Sequence, residues 1–136
     1  LFADQALELV YARLGIASLR GAASTEFLEL GPSYRATNVE GVANFAALSK
    51  QATAGKGDFT QPVGTTVTWK SLENLNFPVL LLTGDADLYA PPPMQQLVAS
   101  HLSNRRLATF PAIGHAPYWE APDLFNKAVV EFLQDL

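Results

Sequence analysis

The sequence lacks cysteine and has little positive charge, and each shortage narrows the range of possible functions. With no cysteine among its 136 residues, the chain has neither a disulfide framework nor a thiol nucleophile. Nine Lys and Arg stand against thirteen Asp and Glu, which gives a formal net charge of −4. Nucleic-acid binding rests on clustered basic residues that neutralise phosphates, and the only basic doublet is Arg105-Arg106. The composition therefore argues against a nucleic-acid partner.

Long apolar runs and a targeting signal are missing as well. No run approaches the roughly 20 apolar residues of a membrane-spanning helix, so no membrane span is expected. No signal peptide is visible, although the chain begins at Leu1, and a signal on a preceding segment would be lost with that segment. The absence of cysteine favours a cytoplasmic location. Only two histidines occur, in different settings, so that no metal site and no cofactor are expected.

The most informative stretch of the chain is residues 78–115. It opens with PVLLLTGDAD at residues 78–87, an apolar run ended by a glycine, which is typical of a strand buried on both faces of a sheet. A helical segment and a second strand over residues 106–110 follow, and then GHAP at residues 114–117. Open α/β sheets bind ligands and do chemistry at the carboxyl ends of their parallel strands. The two loops therefore place an acid and an imidazole at the same edge.

These two motifs, in this order and with a helix between them, resemble the C-terminal part of an α/β-hydrolase-fold enzyme. In that family the acid stands three residues after the glycine that ends its strand, and the histidine follows a glycine just after the last strand. The resemblance implies that Asp87 is the acid and His115 the base of a catalytic triad, and that Asp85 is a solvated turn residue. The fold it implies is α/β: the C-terminal part of an α/β-hydrolase fold, with parallel strands and crossover helices, preceded by a helical cap.

The nucleophile of such a triad is missing from the sequence. No Gly-x-Ser-x-Gly occurs, and Ser33, in GPSYR at residues 31–35, lacks the second glycine and a preceding strand. The resemblance places the nucleophile upstream, in a part that this chain does not contain, so the chain alone is expected to be inactive. Two parallel strands also make an unstable sheet on their own. We therefore expect a partner segment, either the missing N-terminal half or a second chain.

The function that the resemblance implies is that of an esterase- or lactonase-type hydrolase acting on a small apolar substrate. Leu88, Tyr89 and Ala116 flank the acid and the histidine and are predicted to line the substrate pocket, because loops at this edge face it. An aspartate nucleophile would instead give an epoxide hydrolase or a dehalogenase. A non-catalytic α/β-hydrolase-like ligand-binding protein and a mere assembly unit also stay open. In the plainest interpretation, Asp87 is only a turn residue and His115 only a core histidine.

The remaining patterns divide the chain into a helical cap or lid over residues 1–60 and the C-terminal part of the core over residues 61–136. A first helix is predicted over residues 4–20, a second begins after its cap Asn38, and residues 51–64 are a linker. Ser71 is predicted to cap a short helical turn. The last helix begins at Pro122 and is predicted to bury one apolar face, made of Phe125, Ala128, Val129, Phe132 and Leu133. Tyr118-Trp119-Glu120, just after the histidine, forms either a wall of the substrate pocket or packing under the last helix, and packing is the favoured interpretation.

Overall fold

The computed structural model describes residues 23–53 and 67–136, together with Ala12 and Gly64. The helix predicted over residues 4–20 lies outside the described residues except for Ala12, which is helical, and so does most of the predicted linker. Among the described residues, no helix is both long enough and apolar enough to cross a bilayer.

A group of helices precedes a strand–helix–strand unit, and two further helices follow it. The first group is α1 (Thr25–Glu29), α2 (Pro32–Thr37), α3 (Val39–Thr53) and α4 (Trp69–Glu73). The second part is β1 (Val79–Gly84), α5 (Pro92–Ser100), β2 (Arg105–Phe110), α6 (Pro117–Glu120) and α7 (Pro122–Gln134).

The two strands are parallel neighbours, as the α/β prediction requires. Their register runs from Val79 opposite Arg105 to Gly84 opposite Phe110, and α5 is the crossover that connects them. Parallel strands need such a crossover, since a tight turn can only reverse the chain. The carboxyl ends of β1 and β2 therefore meet at one edge of the sheet, and the loops that follow Gly84 and Phe110 start side by side.

Strand β1 is less buried than its apolar sequence predicts. Residues 79–82 are only half-buried, and Thr83 and Gly84 are the buried members of the strand. Helix α5 packs on both strands and α7 packs on β2. The sheet of the described residues has only two strands, and the helices that pack on it leave residues 79–82 half-buried. The predicted burial on both faces is thus wrong for the described chain.

Helix termini show one confirmed and one wrong prediction. Asn38 caps α3 as expected, because its Oδ1 accepts a hydrogen bond from the backbone N–H of Gly41 at 2.9 Å. Ser71, in contrast, is not the cap of α4. The cap is Thr68, whose Oγ1 accepts from the N–H of Ser71 at 3.2 Å, while the Ser71 hydroxyl accepts from the N–H of Thr68 at 3.4 Å. The two form a reciprocal capping box, which begins three residues before the predicted position.

The last helix forms where predicted, but its apolar face is covered only in part. None of its residues is fully buried, and Leu133 is 58% exposed although it was predicted to be buried. Among the described residues, α7 packs on β2 and on α6, and these contacts leave Leu133 exposed.

The buried core lies between the helices and the loop that follows β2. Leu30, Phe45 and Ala116 form the cluster, and Tyr34, Val42 and Trp119 pack around it. Leu30 precedes α2 and Ala116 directly follows His115, so the core joins the helical group to the histidine loop. Burial of these side chains fixes the backbone on which the candidate site is built.

Candidate active site

Asp87 is held by its own turn at the end of β1. Its Oδ1 accepts hydrogen bonds from the backbone N–H groups of Tyr89 at 2.7 Å and Ala90 at 2.8 Å, and the residue is only 4% exposed. Aspartate favours such turns because its short side chain reaches the N–H groups two and three residues ahead. One carboxylate oxygen is thereby fixed, and this sets the direction of the other.

The second oxygen of Asp87 meets His115. Nδ1 of His115 lies 2.9 Å from Oδ2 of Asp87, across 28 residues of sequence. This is the contact that the sequence predicts. A carboxylate oxygen only accepts, so Nδ1 donates, and the basic lone pair of the neutral ring is then on Nε2. The side chain of His115 is 44% exposed and that of Asp87 only 3%, so the base is accessible while its acid partner is enclosed.

Asp85, as predicted, does not point at the histidine, but it is more than a solvated turn residue. Its Oδ1 accepts from the N–H of Ala112 at 2.6 Å. Ala112 has a φ of 59°, a left-handed conformation that is costly for a residue with a Cβ. The Asp85 carboxylate thus holds the turn that leads from β2 towards His115. Nothing local in the sequence indicates this partner, which lies 27 residues downstream.

The end of β1 and the histidine loop touch through their backbones. Ala86 N–H donates to the carbonyl of Ile113 at 3.0 Å, and Asp85 N–H donates to that of Phe110, also at 3.0 Å. A side chain on Gly84 would overlap the Ile113 carbonyl oxygen. The glycine that ends the strand is therefore required by this close approach, which brings the acid and histidine loops together.

The three predicted pocket residues occupy different environments. The Tyr89 ring lies 5.1 Å from the His115 ring, tilted by 40°. Leu88 is half-buried beside it. Ala116 is fully buried at 0% exposure, in the cluster with Leu30 and Phe45. Tyr89 is thus the one whose contact with the histidine is seen, and the substrate-binding role of all three stays a prediction.

Glu120 contributes more than the packing that sequence reasoning assigned to its segment. Its Oε2 accepts from the backbone N–H of Gly31 at 2.8 Å, and its Oε1 accepts from that of Gly114 at 2.9 Å. Trp119 does pack, edge-on against Phe45 with ring centroids 5.5 Å apart. One of the two partners of Glu120 lies 89 residues upstream, so no local pattern reveals this bridge.

Glu29 is a second residue that sequence reasoning missed. Its carbonyl oxygen accepts the backbone N–H of His115 at 2.6 Å. Its side chain lines an open cleft of about 280 Å³ between α1, α3 and α6, together with the apolar side chains of Phe45, Leu48 and Trp119. Burial raises the pKa of the Glu29 carboxyl above its ordinary value; the nearby His115 lowers this pKa in part, and the nearby Asp87 adds to the rise. The cleft is thus an apolar space with a carboxyl group on its wall.

No family model and no curated protein matches the sequence. Several solved structures do match. A thermophilic esterase from Thermogutta terrifontis superposes with a TM-score of 0.68 at 17% identity, over 97% of this chain and 51% of that chain. A bromoperoxidase from Bacillus anthracis gives a TM-score of 0.65 at 20% identity, over 96% and 49%. An alpha/beta hydrolase enzyme from a Medee basin deep-sea metagenome library gives 0.58 at 22% identity, over 93% and 47%.

The chain spans about half the length of the solved structures that it matches, as the 51%, 49% and 47% coverage of the three shows. Likeness at such identities is a statement about fold.

Proposed function

Since the chain has the C-terminal part of an α/β-hydrolase fold, we propose that it supplies the acid and the base of a hydrolase. Asp87 is the acid, His115 is the base, and a serine on a segment outside residues 1–136 is the nucleophile. The Asp87–His115 hydrogen bond of 2.9 Å, at the carboxyl edge of two parallel strands, is the observation that carries the proposal. The substrate class is an ester or a lactone with a small apolar group.

The geometry of the Asp87 carboxylate supports a catalytic role over that of a plain turn residue. A turn needs only the oxygen that accepts from Tyr89 and Ala90. The other oxygen is directed at a partly exposed imidazole, where it fixes the tautomer and stabilises the imidazolium that forms during catalysis. A core histidine would be buried, whereas the His115 side chain is 44% exposed.

In the proposed reaction, Nε2 of His115 accepts the proton of the serine hydroxyl as its oxygen attacks the ester carbonyl carbon. The imidazolium then gives that proton to the leaving alcohol oxygen, which leaves an acyl-enzyme. A water molecule, deprotonated by the same nitrogen, attacks the acyl carbon. The bond between that carbon and the serine oxygen then breaks, the imidazolium returns its proton to the serine oxygen, and the carboxylic acid is released. Asp87 remains ionised throughout and stabilises the positive ring by its charge.

The surroundings of the histidine support a small apolar substrate. The Tyr89 ring lies 5.1 Å from the His115 ring, and half-buried Leu88 is next to Tyr89 in sequence. A separate apolar cleft along α3 contains Phe45, Leu48 and Trp119 and is linked to the site through Glu29, whose carbonyl accepts from the His115 N–H. Burial of apolar substrate surface against such side chains would supply binding energy of about 25 cal/mol per Å². Among the structures compared, the esterase from Thermogutta terrifontis is in keeping with this substrate class.

The proposal is tested by comparing the chain alone with the chain preceded by the segment encoded upstream of Leu1. The isolated chain should turn over p-nitrophenyl butyrate at the background rate, and the longer protein should hydrolyse it and react with a fluorophosphonate probe. His115→Ala should abolish that hydrolysis, while His101→Ala, at the other histidine, should leave it unchanged. Equal turnover by the isolated chain would contradict the proposal, and so would full activity of His115→Ala. An aspartate in place of the serine would favour epoxide or carbon–halogen hydrolysis.

A further inference from the structure

We propose that Glu120 is a positioning residue for His115, and that it acts through two backbone N–H groups and makes no contact with the ring. This inference rests on the proposed function, in which His115 is the base and the loop that carries it must be held in position. The carboxylate of Glu120, on the short helix after the histidine, joins the loop that carries His115 to the segment between α1 and α2.

Both oxygens of Glu120 are used at once. Oε1 accepts from Gly114, directly before His115, and Oε2 accepts from Gly31, directly before α2. On the other side of the same loop, the N–H of His115 donates to the carbonyl of Glu29 at 2.6 Å. The two peptide groups that flank Gly114 are therefore each held by a hydrogen bond, one to Glu120 and one to Glu29. These two bonds set the position of the His115 Cα, from which the ring reaches Asp87.

The two backbone segments approach so closely that neither tolerates a side chain at its glycine. A Cβ on Gly31 would lie 2.5 Å from the Ala112 carbonyl oxygen and 2.9 Å from the Gly114 nitrogen. A Cβ on Gly114 would lie 2.6 Å from the Gly31 nitrogen. The N–H groups of Gly31 and Gly114 are thus brought side by side. A buried N–H without an acceptor is costly in free energy. A carboxylate, with two accepting oxygens, satisfies both donors.

Glu120 accepts these bonds in a partly buried place. Burial raises the pKa of its carboxyl above the ordinary value, and the backbone N–H groups of Gly31, Gly114 and Ala116, with the charge of Arg35, offset part of that rise. Hydrogen bonds to a charged acceptor in a partly desolvated place are stronger and shorter than those between neutral groups. Removal of the carboxylate would therefore release Gly31 and Gly114 together.

The inference is tested by NMR on the full chain with three variants. The readout is the low-field ring N–H proton of His115, a signature of its hydrogen bond to Asp87. Glu120→Ala should lose this resonance. Glu120→Gln keeps one accepting oxygen and should retain it with a smaller low-field shift. Asp123→Ala removes an exposed carboxylate in the first turn of α7 and should leave it unchanged. The ring carbon-bound protons of His101, which stacks on Trp69, report whether the fold persists.

The expected result is loss of the His115 resonance in Glu120→Ala while the His101 signals keep their positions. An unchanged His115 resonance in Glu120→Ala would overturn the inference. Loss of both histidine signatures would overturn it as well, because Glu120 would then support the fold as a whole. So would absence of the resonance from the unmodified chain. The experiment reads a hydrogen bond and no turnover, so its failure is distinguishable from failure of the hydrolase proposal.

Discussion

The two histidines of the chain form two carboxylate pairs that look alike by distance and differ in almost every other respect. His115 Nδ1 lies 2.9 Å from Asp87 and His101 Nδ1 lies 3.0 Å from Glu73, and each pair spans 28 residues. The Asp87 side chain is 3% exposed, whereas that of Glu73 is 42% exposed. His101 stacks on Trp69, with ring centroids 4.2 Å apart and planes 14° apart.

A short distance between a histidine and a carboxylate does not by itself identify a catalytic site. At His115 the acid is enclosed and held by backbone N–H groups, and the imidazole is the exposed partner. At His101 the carboxylate is the exposed partner and an indole covers the ring. An oriented base needs a fixed acid and an accessible ring, and only the first pair has both. The second pair joins the end of α5 to α4.

The largest expected difference between the pairs is catalytic. In the protein that includes the nucleophile, Asp87→Asn should lower kcat by about 10³- to 10⁴-fold, because an amide favours the wrong imidazole tautomer. Glu73→Gln is the matched change in the other pair and should alter kcat by less than about twofold, since exposed pairs contribute little. Steady-state kinetics with a p-nitrophenyl ester measures both. Equal losses in the two variants would remove the distinction between the pairs.

A smaller difference is expected in stability. Asp87→Ala should lower the free energy of unfolding by about 2–3 kcal/mol, because it strands the N–H groups of Tyr89 and Ala90. Glu73→Ala should cost no more than about 1 kcal/mol, since water replaces an exposed carboxylate. Urea denaturation followed by circular dichroism provides the two values. A cost for Asp87→Ala as low as that for Glu73→Ala would show that its turn is not held by the side chain.

A further contrast concerns what covers each ring. Trp69→Ala should move the ring proton resonances of His101, because the stacked indole supplies a ring-current shift, and should leave those of His115 in place. The accompanying loss of stability should be about 1 kcal/mol, the size of one aromatic contact. NMR spectra of the unmodified chain and of Trp69→Ala give the shifts directly. Movement of the His115 signals would mean that the two pairs are coupled.

The smallest expected effect concerns a second carboxyl group beside His115. Burial raises the pKa of Glu29 in the folded chain, so the folded state binds this proton more tightly than the unfolded state does. Stability should therefore fall as pH rises from the ordinary glutamate range through the folded pKa. Glu29→Gln removes this pH-dependent loss of stability. It should raise the free energy of unfolding at pH 7 by less than about 1 kcal/mol and should not raise it at low pH. Thermal unfolding at several pH values tests this, and a gain at low pH alone would contradict it.

The sequence was sufficient to predict the parts of the fold and site whose signals are local or ordered along the chain. An apolar run ended by Gly84 predicts β1, and the order of Asp87 and His115 predicts parallel strands with both loops at one edge. Chain order and strand direction then bring an acid and an imidazole to one edge, and the resemblance to α/β-hydrolases selects Asp87 over Asp85 as the acid. The Asn38 cap is local in the same way, because its partner is the N–H of Gly41.

The features that sequence reasoning missed depend on contacts between distant segments. The sequence favours packing for Glu120, and Gly31 becomes its neighbour only when the helical group docks on the histidine loop. Asp85 is exposed, as predicted, but no local signal indicates its hydrogen bond from Ala112, 27 residues downstream. Burial of β1 was overestimated for a related reason. An apolar run shows that a strand is suited to burial, but whether it is buried depends on how many other strands and helices cover it.

Asp87 and His115 both belong to a single strand–helix–strand unit, and this has a consequence for how the reaction could change during evolution. Their mutual geometry is set within residues 79–115 by the β1–β2 register, by α5 and by the two loops, and from outside this range by Glu29 and Glu120, which hold the peptide groups on either side of Gly114. Under the proposed function, a change in a nucleophile segment outside residues 1–136 would therefore leave the contact between Asp87 and His115 in place. One oriented imidazole can serve a serine, whose proton it takes, or an aspartate, whose ester it opens by activating water. Under the proposed function, exchange of one segment would then alter the reaction in a single step while the strand–helix–strand unit stays unchanged.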